Sequence, residues 1–431
     1  MDDVRPAPLR VVIDARVTPD TAGGVARALA ALVRAFGDLD GRDEYLLVVR
    51  TDAEADYWSG VVRDRQTIVR MPASVRPSWK RRTINRLLFR VLPAKRWPDI
   101  PVSSGYFESL GGDVLHFPYQ YFELCAMPTV FNPHDLQHLH YPQFFSIDQL
   151  VDREILYPAG CRLSQAVIVG SQWIKEDVMA QYGIAPAKIH VIPEGSPSQW
   201  TQEPDVALRN DVVTRYGLHA PFLLYPAITW PHKNHVRLLD ALADLRDRKG
   251  LVVPLVCTGA KDASGWPDIQ SRLSARGLES QARFLGFVPD ADLETIIHLA
   301  RAVIVPSLFE ASSLPIFEAW TAGVPVASSQ ATALPDQVAD AGLLFDPLDT
   351  AAIGAAIERL MTDDALCDDL RARGRRRLDD FDWTRTAKGY RAVYRRVAGR
   401  GLTDEDRRLL SWDWARVPER DGAEPAVESA R

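Results

Sequence analysis

Cysteine is scarce in this chain. Cys125, Cys161, Cys257 and Cys367 are the only four among 431 residues, and they stand far apart with no C-x-x-C pair. That pattern gives no basis for a disulfide framework or a thiolate zinc site and points to a reducing compartment. Long apolar runs are missing too: none approaches the roughly 18 residues that would carry a helix across a bilayer. The opening "MDDVRPAPLRVVIDAR" has acids where a signal peptide has basic residues, so a cytoplasmic location is expected. Positive charge is not in excess either. The 51 basic and 57 acidic residues leave a formal charge of -6, the wrong sign for a dedicated nucleic-acid binder.

What is present suits a soluble two-domain protein. A content of 46% hydrophobic and 25% charged residues is that of a globular chain, and 431 residues exceed what one core usually organises. Short β-rich runs alternate with helical stretches: 9–15, 44–49, 67–71, 113–117, 129–132, 166–170 and 189–193, with helices at 25–36, 147–161 and 172–182. Continuous Val/Ile/Leu runs of this kind predict a parallel sheet covered on both faces. The pattern breaks in "PEGSPSQWTQEPDVALRND", residues 193–211, where a domain boundary is expected. A second series follows, with strands at 222–228, 253–259, 283–288, 302–307 and 325–329 and helices at 235–248 and 291–300. The expected organisation is an α/β chain of two tandem Rossmann-like, doubly wound domains, residues 1–200 and 201–385. A helix within 386–412 crosses back to the first, and a polar tail at 413–431 is expected to be disordered. No fixed-period repeat is visible. Two such domains leave a cleft at the carboxyl ends of their strands, where α/β sheets bind ligands.

The stretch "PSLFEASSLPIFEAWTAGVPVASS", residues 306–329, holds Glu310 and Glu318 with no lysine, arginine or histidine beside them. It follows a predicted buried strand, so its loop faces the cleft. Ser312 or Ser313 suits a helix cap, Pro315 a first turn, and Gly323 with Pro325 a stop, which predicts a helix over about 314–322. Free amides from about Ser313 and Leu314 onward would then form an anion site suited to phosphate. Glu318, a turn deeper, cannot bind phosphate but can accept hydrogen bonds from vicinal ribose hydroxyls. Glu310 would lie on the other side of a diphosphate. The competing reading makes both glutamates helix-terminus acids worth ~0.3–1 kcal/mol. Lys233, in the βα turn "WPHKNH", is either a surface charge or a neutraliser of that diphosphate. Gly23 and Gly24 are either an ordinary turn or a strand-to-helix loop that lets backbone approach a ligand closely. His134, Asp135, His138 and His140 crowd one segment, but no second cluster accompanies them and no metal is expected.

In this stretch the sequence resembles the E-x7-E signature of the retaining glycosyltransferases of family 4, the group-1-like mannosyl and hexosyl transferases with the two-domain GT-B fold. The resemblance extends through "VVIDARVTPDTAGGVARAL", "NPHDLQHLHYPQFF", "AVIVGSQWIKEDVMAQYGIAPAKIHVIPEG", "YPAITWPHKNHVRLLDAL" and "FLGFVPDADLETIIHLARAVIVPS", in the family's order. It implies transfer of a hexose from a nucleoside diphosphate sugar to a hydroxyl of a glycan or lipid-linked acceptor in cell-surface polysaccharide synthesis, without metal or other cofactor. It assigns Lys233 to the diphosphate, Glu310 to the donor sugar, Glu318 to the ribose and the backbone of Val288 to the nucleobase. His134 is placed beside the anomeric carbon, with His138 and His140 in an acceptor-side loop. The chain departs from the pattern at Ala311 and Ser313, which replace glycines, and at Ala26. His232 and Ala227 occupy positions where relatives carry an arginine, so His232 would need a proton to add charge. If Ser313 required left-handed backbone, donor binding would suffer. Two alternatives follow: a GT-B nucleotide-sugar epimerase, or a catalytically silent relative acting as an assembly partner.

One further segment stands out. Residues 75–97, "VRPSWKRRTINRLLFRVLPAKRW", carry eight Lys/Arg and no acid, with Ile84, Leu87, Leu88 and Val91 on one helical stripe. The stripe either packs on the first domain or lies on the inner, anionic face of a membrane as a peripheral contact.

Overall fold

The computed structural model describes residues 7–72, 100–196, 203–218 and 221–412, and of residues 19–23 the backbone alone. The basic segment 75–97 and the tail 413–431 lie outside the described residues.

The chain folds into two parallel sheets. The first contains β1 (Arg10–Asp14), β2 (Glu44–Val49), β3 (Gln66–Arg70), β4 (Val114–Phe117), β5 (Thr129–Phe131), β6 (Ala166–Val169) and β7 (Ile189–Val191), in the order β3-β2-β1-β4-β5-β6-β7. The second contains β8 (Leu223–Pro226), β9 (Leu255–Thr258), β10 (Ala282–Phe284), β11 (Ala302–Val305), β12 (Val326–Ser329) and β13 (Leu343–Phe345), in the order β10-β9-β8-β11-β12-β13. Runs such as "AVIV" in β6 and again in β11 are buried along their whole length, as strands covered on both faces must be. In each sheet the strand order reverses at its first strand. The loops after β1 and β4, and those after β8 and β11, therefore diverge and open a crevice.

The helix expected at 25–36 runs from Pro19 to Asp38, so Gly23 and Gly24 lie inside it and not in a loop. A glycine costs a helix interior about 1 kcal/mol, but this helix has 20 residues and a buried stripe including Leu29, Val33 and Phe36. The boundary stretch also holds an unforeseen helix, Val206–Tyr216, capped by the Asp205 side chain on the Leu208 amide and ended by Gly217 at φ +58°. Proline and acids disguised it.

Helix Trp383–Val397 leaves the second domain and completes the core of the first. Asp382 caps it through the Thr384 and Arg385 amides. Tyr394 Oη bonds His116 Nδ1 at 2.8 Å, and Asn132 Nδ2 donates to Tyr390 Oη at 2.6 Å. The chain thus crosses between domains twice, and the crossings touch. Ser196 N donates to Phe381 O at 2.9 Å, Thr386 Oγ1 donates to Pro193 O at 2.8 Å, and a Cβ on Gly195 would lie 2.5 Å from Trp383 Cγ. Only glycine fits there. Among the described residues no helix is long and apolar enough to cross a membrane.

Candidate active site

Glu310 sits in the loop after β11 and Lys233 in the turn after β8, the two strands that flank the second sheet's reversal point. Lys233 Nζ meets Glu310 Oε1 at 2.5 Å, with side chains 19% and 10% exposed. The carboxylate that lacks a cation in its own segment receives one from 77 residues away. Ser307 Oγ donates to the same oxygen at 2.7 Å. The loops are tied together: Asn234, at φ +62°, donates to Pro306 O at 2.9 Å and Pro347 O at 2.8 Å. Thr332 accepts from Glu310 N at 3.0 Å and donates to Glu310 O at 2.7 Å.

The next helix runs from Leu314 to Thr321, with Pro315 in its first turn and Gly323 at φ +69° beyond its end. Ser313 occupies the cap position, but its side chain caps nothing. Its amide is also not free, since Gln337 Oε1 accepts from it at 2.9 Å and Gln337 Nε2 donates back to Ser313 O at 2.9 Å. Ile316 N turns back to Ser313 O. The amide tips without an acceptor among the described residues are therefore those of Ala311, Ser312 and Leu314, one step earlier than expected. Ser313 lies at φ −117°, ψ 102°, and Ala311 is not among the positive-φ residues, so neither glycine replacement strains the backbone.

Among the described residues the Glu318 carboxyl has no hydrogen-bond or ion-pair partner. Burial pushes it up from 4.5 to about 7, Arg27 opposes that shift and Asp290 adds to it. Arg27 belongs to the first domain, on the helix that carries Gly23 and Gly24, so its charge acts on this carboxyl across the cleft. A Cβ on Gly24 would meet nothing within 4 Å. Val288 is buried in the loop after β10, which ends at Phe284, four residues before the expected strand end.

His134 closes the first-domain side. It sits just after β5 at φ +62°, an uncommon conformation for a residue with a side chain, and its Nε2–H donates to Pro118 O at 2.7 Å. Beside it Asp135 is pushed up by burial, with the charge of Glu310 adding to the effect. Glu194, at the domain crossing, is pushed up by burial while His134 opposes the shift. Glu194 lines an interdomain recess with Ser171, Ala311, Ser312, Gln337 and Phe381.

The remaining histidines correct the reading of that segment. His138 is buried against the Tyr157 ring at 4.8 Å and pushed down to about 4 by burial, so it belongs to the core and not to an acceptor loop. His140 is clamped by both oxygens of Asp177 at 2.9 Å. Each histidine serves a different partner. His232 is buried and held near 4 by burial and by the charge of Lys233, so it is neutral and adds no cation. Sequence reasoning missed Ser307, Thr332, Gln337, Asn234, Arg27 and Glu194. Only Arg27, a helical turn beyond Gly23, carried a signal in spacing.

The comparisons agree with this layout. The family model for Glycosyltransferase Family 4 matches residues 22–198, and that for Glycosyl transferases group 1 matches residues 217–377. The O-antigen chain mannosyltransferase B of Escherichia coli is 38% identical over 178 residues, covering 40% of this chain and 46% of that protein. The MMP alpha-(1->4)-mannosyltransferase of Mycolicibacterium hassiacum is 27% identical over 228 residues, 52% of each. The chain thus spans about half the length of these curated relatives. Anabaena HepE, crystallised in complex with UDP and glucose, superposes with a TM-score of 0.66 at 16% identity, over 89% of this chain and 99% of that one. The sucrose-phosphate synthase of Thermosynechococcus elongatus gives 0.65 at 19% identity, over 91% and 100%. With both halves matched and both sheets in place, the chain belongs to the family 4, group-1-like glycosyltransferases and has the GT-B fold.

Proposed function

We propose that the protein transfers a hexose from a nucleoside diphosphate sugar to a hydroxyl of a glycan or lipid-linked acceptor, with retention at the anomeric carbon. One observation carries the reading: a paired lysine and glutamate at the reversal point of the second sheet, followed by helix-end amides and then a half-buried carboxyl that have no partner among the described residues. Lys233 and the amides of Ser312 and Leu314 hold the diphosphate and stabilise the charge that develops as it leaves. Glu318 accepts the ribose hydroxyls, the backbone at Val288 meets the base, and Gly24 leaves room on the facing helix. Glu310 orients the sugar and His134 lines its reacting face. The acceptor oxygen bonds to the anomeric carbon as the bond from that carbon to phosphate oxygen breaks. The acceptor proton passes to the departing phosphate. This reading needs no metal or cofactor, and it places the protein in the cytoplasm, where nucleotide sugars and the inner membrane face meet.

Two relatives are named mannosyltransferases, one of an O-antigen chain, so mannose and a cell-surface polysaccharide are the first sugar and product to test. A thermal-shift screen of guanosine, uridine and adenosine diphosphate sugars should raise the melting temperature by a few degrees for the donor alone. Release of nucleoside diphosphate should then require an acceptor. Release without one would favour the epimerase, and no donor binding at all would favour the silent partner.

A further inference from the structure

One apolar side chain of the second domain lies across the cleft. Phe309, immediately before Glu310, is 2% exposed yet joins none of the apolar cores of either domain. Its ring packs instead on the first domain, 5.5 Å from His140, 5.6 Å from Trp173 and 6.2 Å from Tyr141 between ring centres. That socket is braced. Asp177 clamps His140, Tyr141 stacks on Phe144 at 5.4 Å, and Tyr141 Oη reaches Leu308 O at 3.4 Å. The peg is braced as well: Leu308 N donates to His232 O at 2.8 Å, and Glu310 N is held by Thr332. Phe309 cannot swing without disturbing Glu310 or the turn that carries Lys233.

The socket begins six residues after His134, on the same segment. A ring next to Glu310 in the chain is thus seated against His140 and Tyr141, which share the segment of His134, and against Trp173 of the following helix. We propose that Phe309 is a positioning residue: its insertion between His140, Tyr141 and Trp173 sets the approach of the two domains, and with it the spacing between the His134 segment and the Lys233–Glu310 pair. Separating the domains withdraws the ring into water, which burial of apolar surface opposes. The inference rests on the proposed transfer reaction for its catalytic consequence, but not for its structural one.

Two measurements on the full chain keep these apart. Small-angle scattering of the ligand-free protein should show a larger radius of gyration for Phe309→Ala and for Trp173→Ala, with recovery in Phe309→Tyr. Since Trp173 approaches from the other domain, it tests the contact even where Phe309→Ala fails to fold. The double variant should expand no further than either single one, because both remove the same contact. In turnover, Phe309→Ala should lower kcat about 100-fold while nucleoside diphosphate affinity stays within about twofold, since misplacement of reacting groups and not ligand contact is lost. Phe309→Tyr should restore kcat. Unchanged scattering in both alanine variants overturns the peg. Loss of kcat that the tyrosine variant does not rescue overturns its positioning role. Failure of the wild type to transfer any sugar would defeat the proposed reaction while leaving the scattering result to stand by itself.

Discussion

At the mouth of the first sheet, Arg16 follows β1 and lies between Asp14 and Glu123; at the mouth of the second, Lys233 follows β8 and lies against Glu310. The two places are equivalent in topology and differ in how completely they are satisfied. Arg16 grips Asp14 with two nitrogens at 2.7 and 2.6 Å and Glu123 at 3.1 Å, and stacks on Tyr121. Tyr119 donates to Asp14 at 2.9 Å and Tyr121 to Glu123 at 2.8 Å. These groups are nearly sealed, with Arg16 and Asp14 side chains 5% and 0% exposed. Among the described residues Lys233 has three donors and one carboxylate to meet, and Glu318 has no hydrogen-bond or ion-pair partner. A buried network with its bonds made rigidifies a fold, whereas one with free donors and a desolvated acid is arranged for a ligand. On the proposed reading, the same fold uses one reversal point as a strut and the other as a site.

The sharpest test of that contrast is Arg16→Met. It strands two buried carboxylates, so stability should fall by about 3–5 kcal/mol, seen as on the order of 10 °C in the melting temperature. Donor nucleotide affinity, a property of the other domain, should hold. Lys233→Met should do the reverse, cutting turnover by about 10²–10³ with a much smaller thermal shift. Were Arg16→Met to weaken nucleotide binding and leave stability intact, the two assignments would be exchanged.

Glu318 comes next. Its folded value near 7 lies above its ordinary 4.5, so the fold carries no penalty below about 4.5 and the full penalty above about 7. Ligand-free stability should therefore decline as pH rises through that window, by on the order of 3 kcal/mol, and Glu318→Gln should flatten the decline. Ribose hydroxyls donating to the ionised form oppose the shift, so donor affinity should rise with pH across the same window and binding should release a proton. Calorimetry in buffers of different ionisation enthalpy reads this directly, and proton uptake would count against the ribose assignment. The smallest effect belongs to Ser313→Ala. Its hydroxyl caps nothing, so stability should change by no more than about 0.5 kcal/mol, and denaturant titration showing a larger loss would restore the capping role.

Much of the architecture was legible because a strand buried on both faces has to be apolar throughout. "EYLLVV" marks β2 at both ends for that reason, and Gln172–Tyr182 follows from its own periodicity. β13 was not foreseen: three residues with one exposed position carry too little pattern. The glycine pair misled, since a local cost of about 1 kcal/mol per glycine is overridden when tertiary contacts bury the rest of the helix. At the site, Glu310, Glu318 and Lys233 were identifiable by type and by their βα positions. That Lys233 answers Glu310, that Gln337 takes the Ser313 amide and that His232 stays neutral depend on neighbours remote in the chain.

What the sequence by itself determined is therefore the sequence of layers: which runs become strands, which turns carry charge, and which family's pattern they follow. Those properties come from periodicity and local backbone preference, which act over a few residues. The tertiary structure alone decided which charges are spent on each other and which remain for a ligand. Pairing and desolvation depend on distances through space, between groups 77 and 107 positions apart in the chain, and no local pattern encodes them.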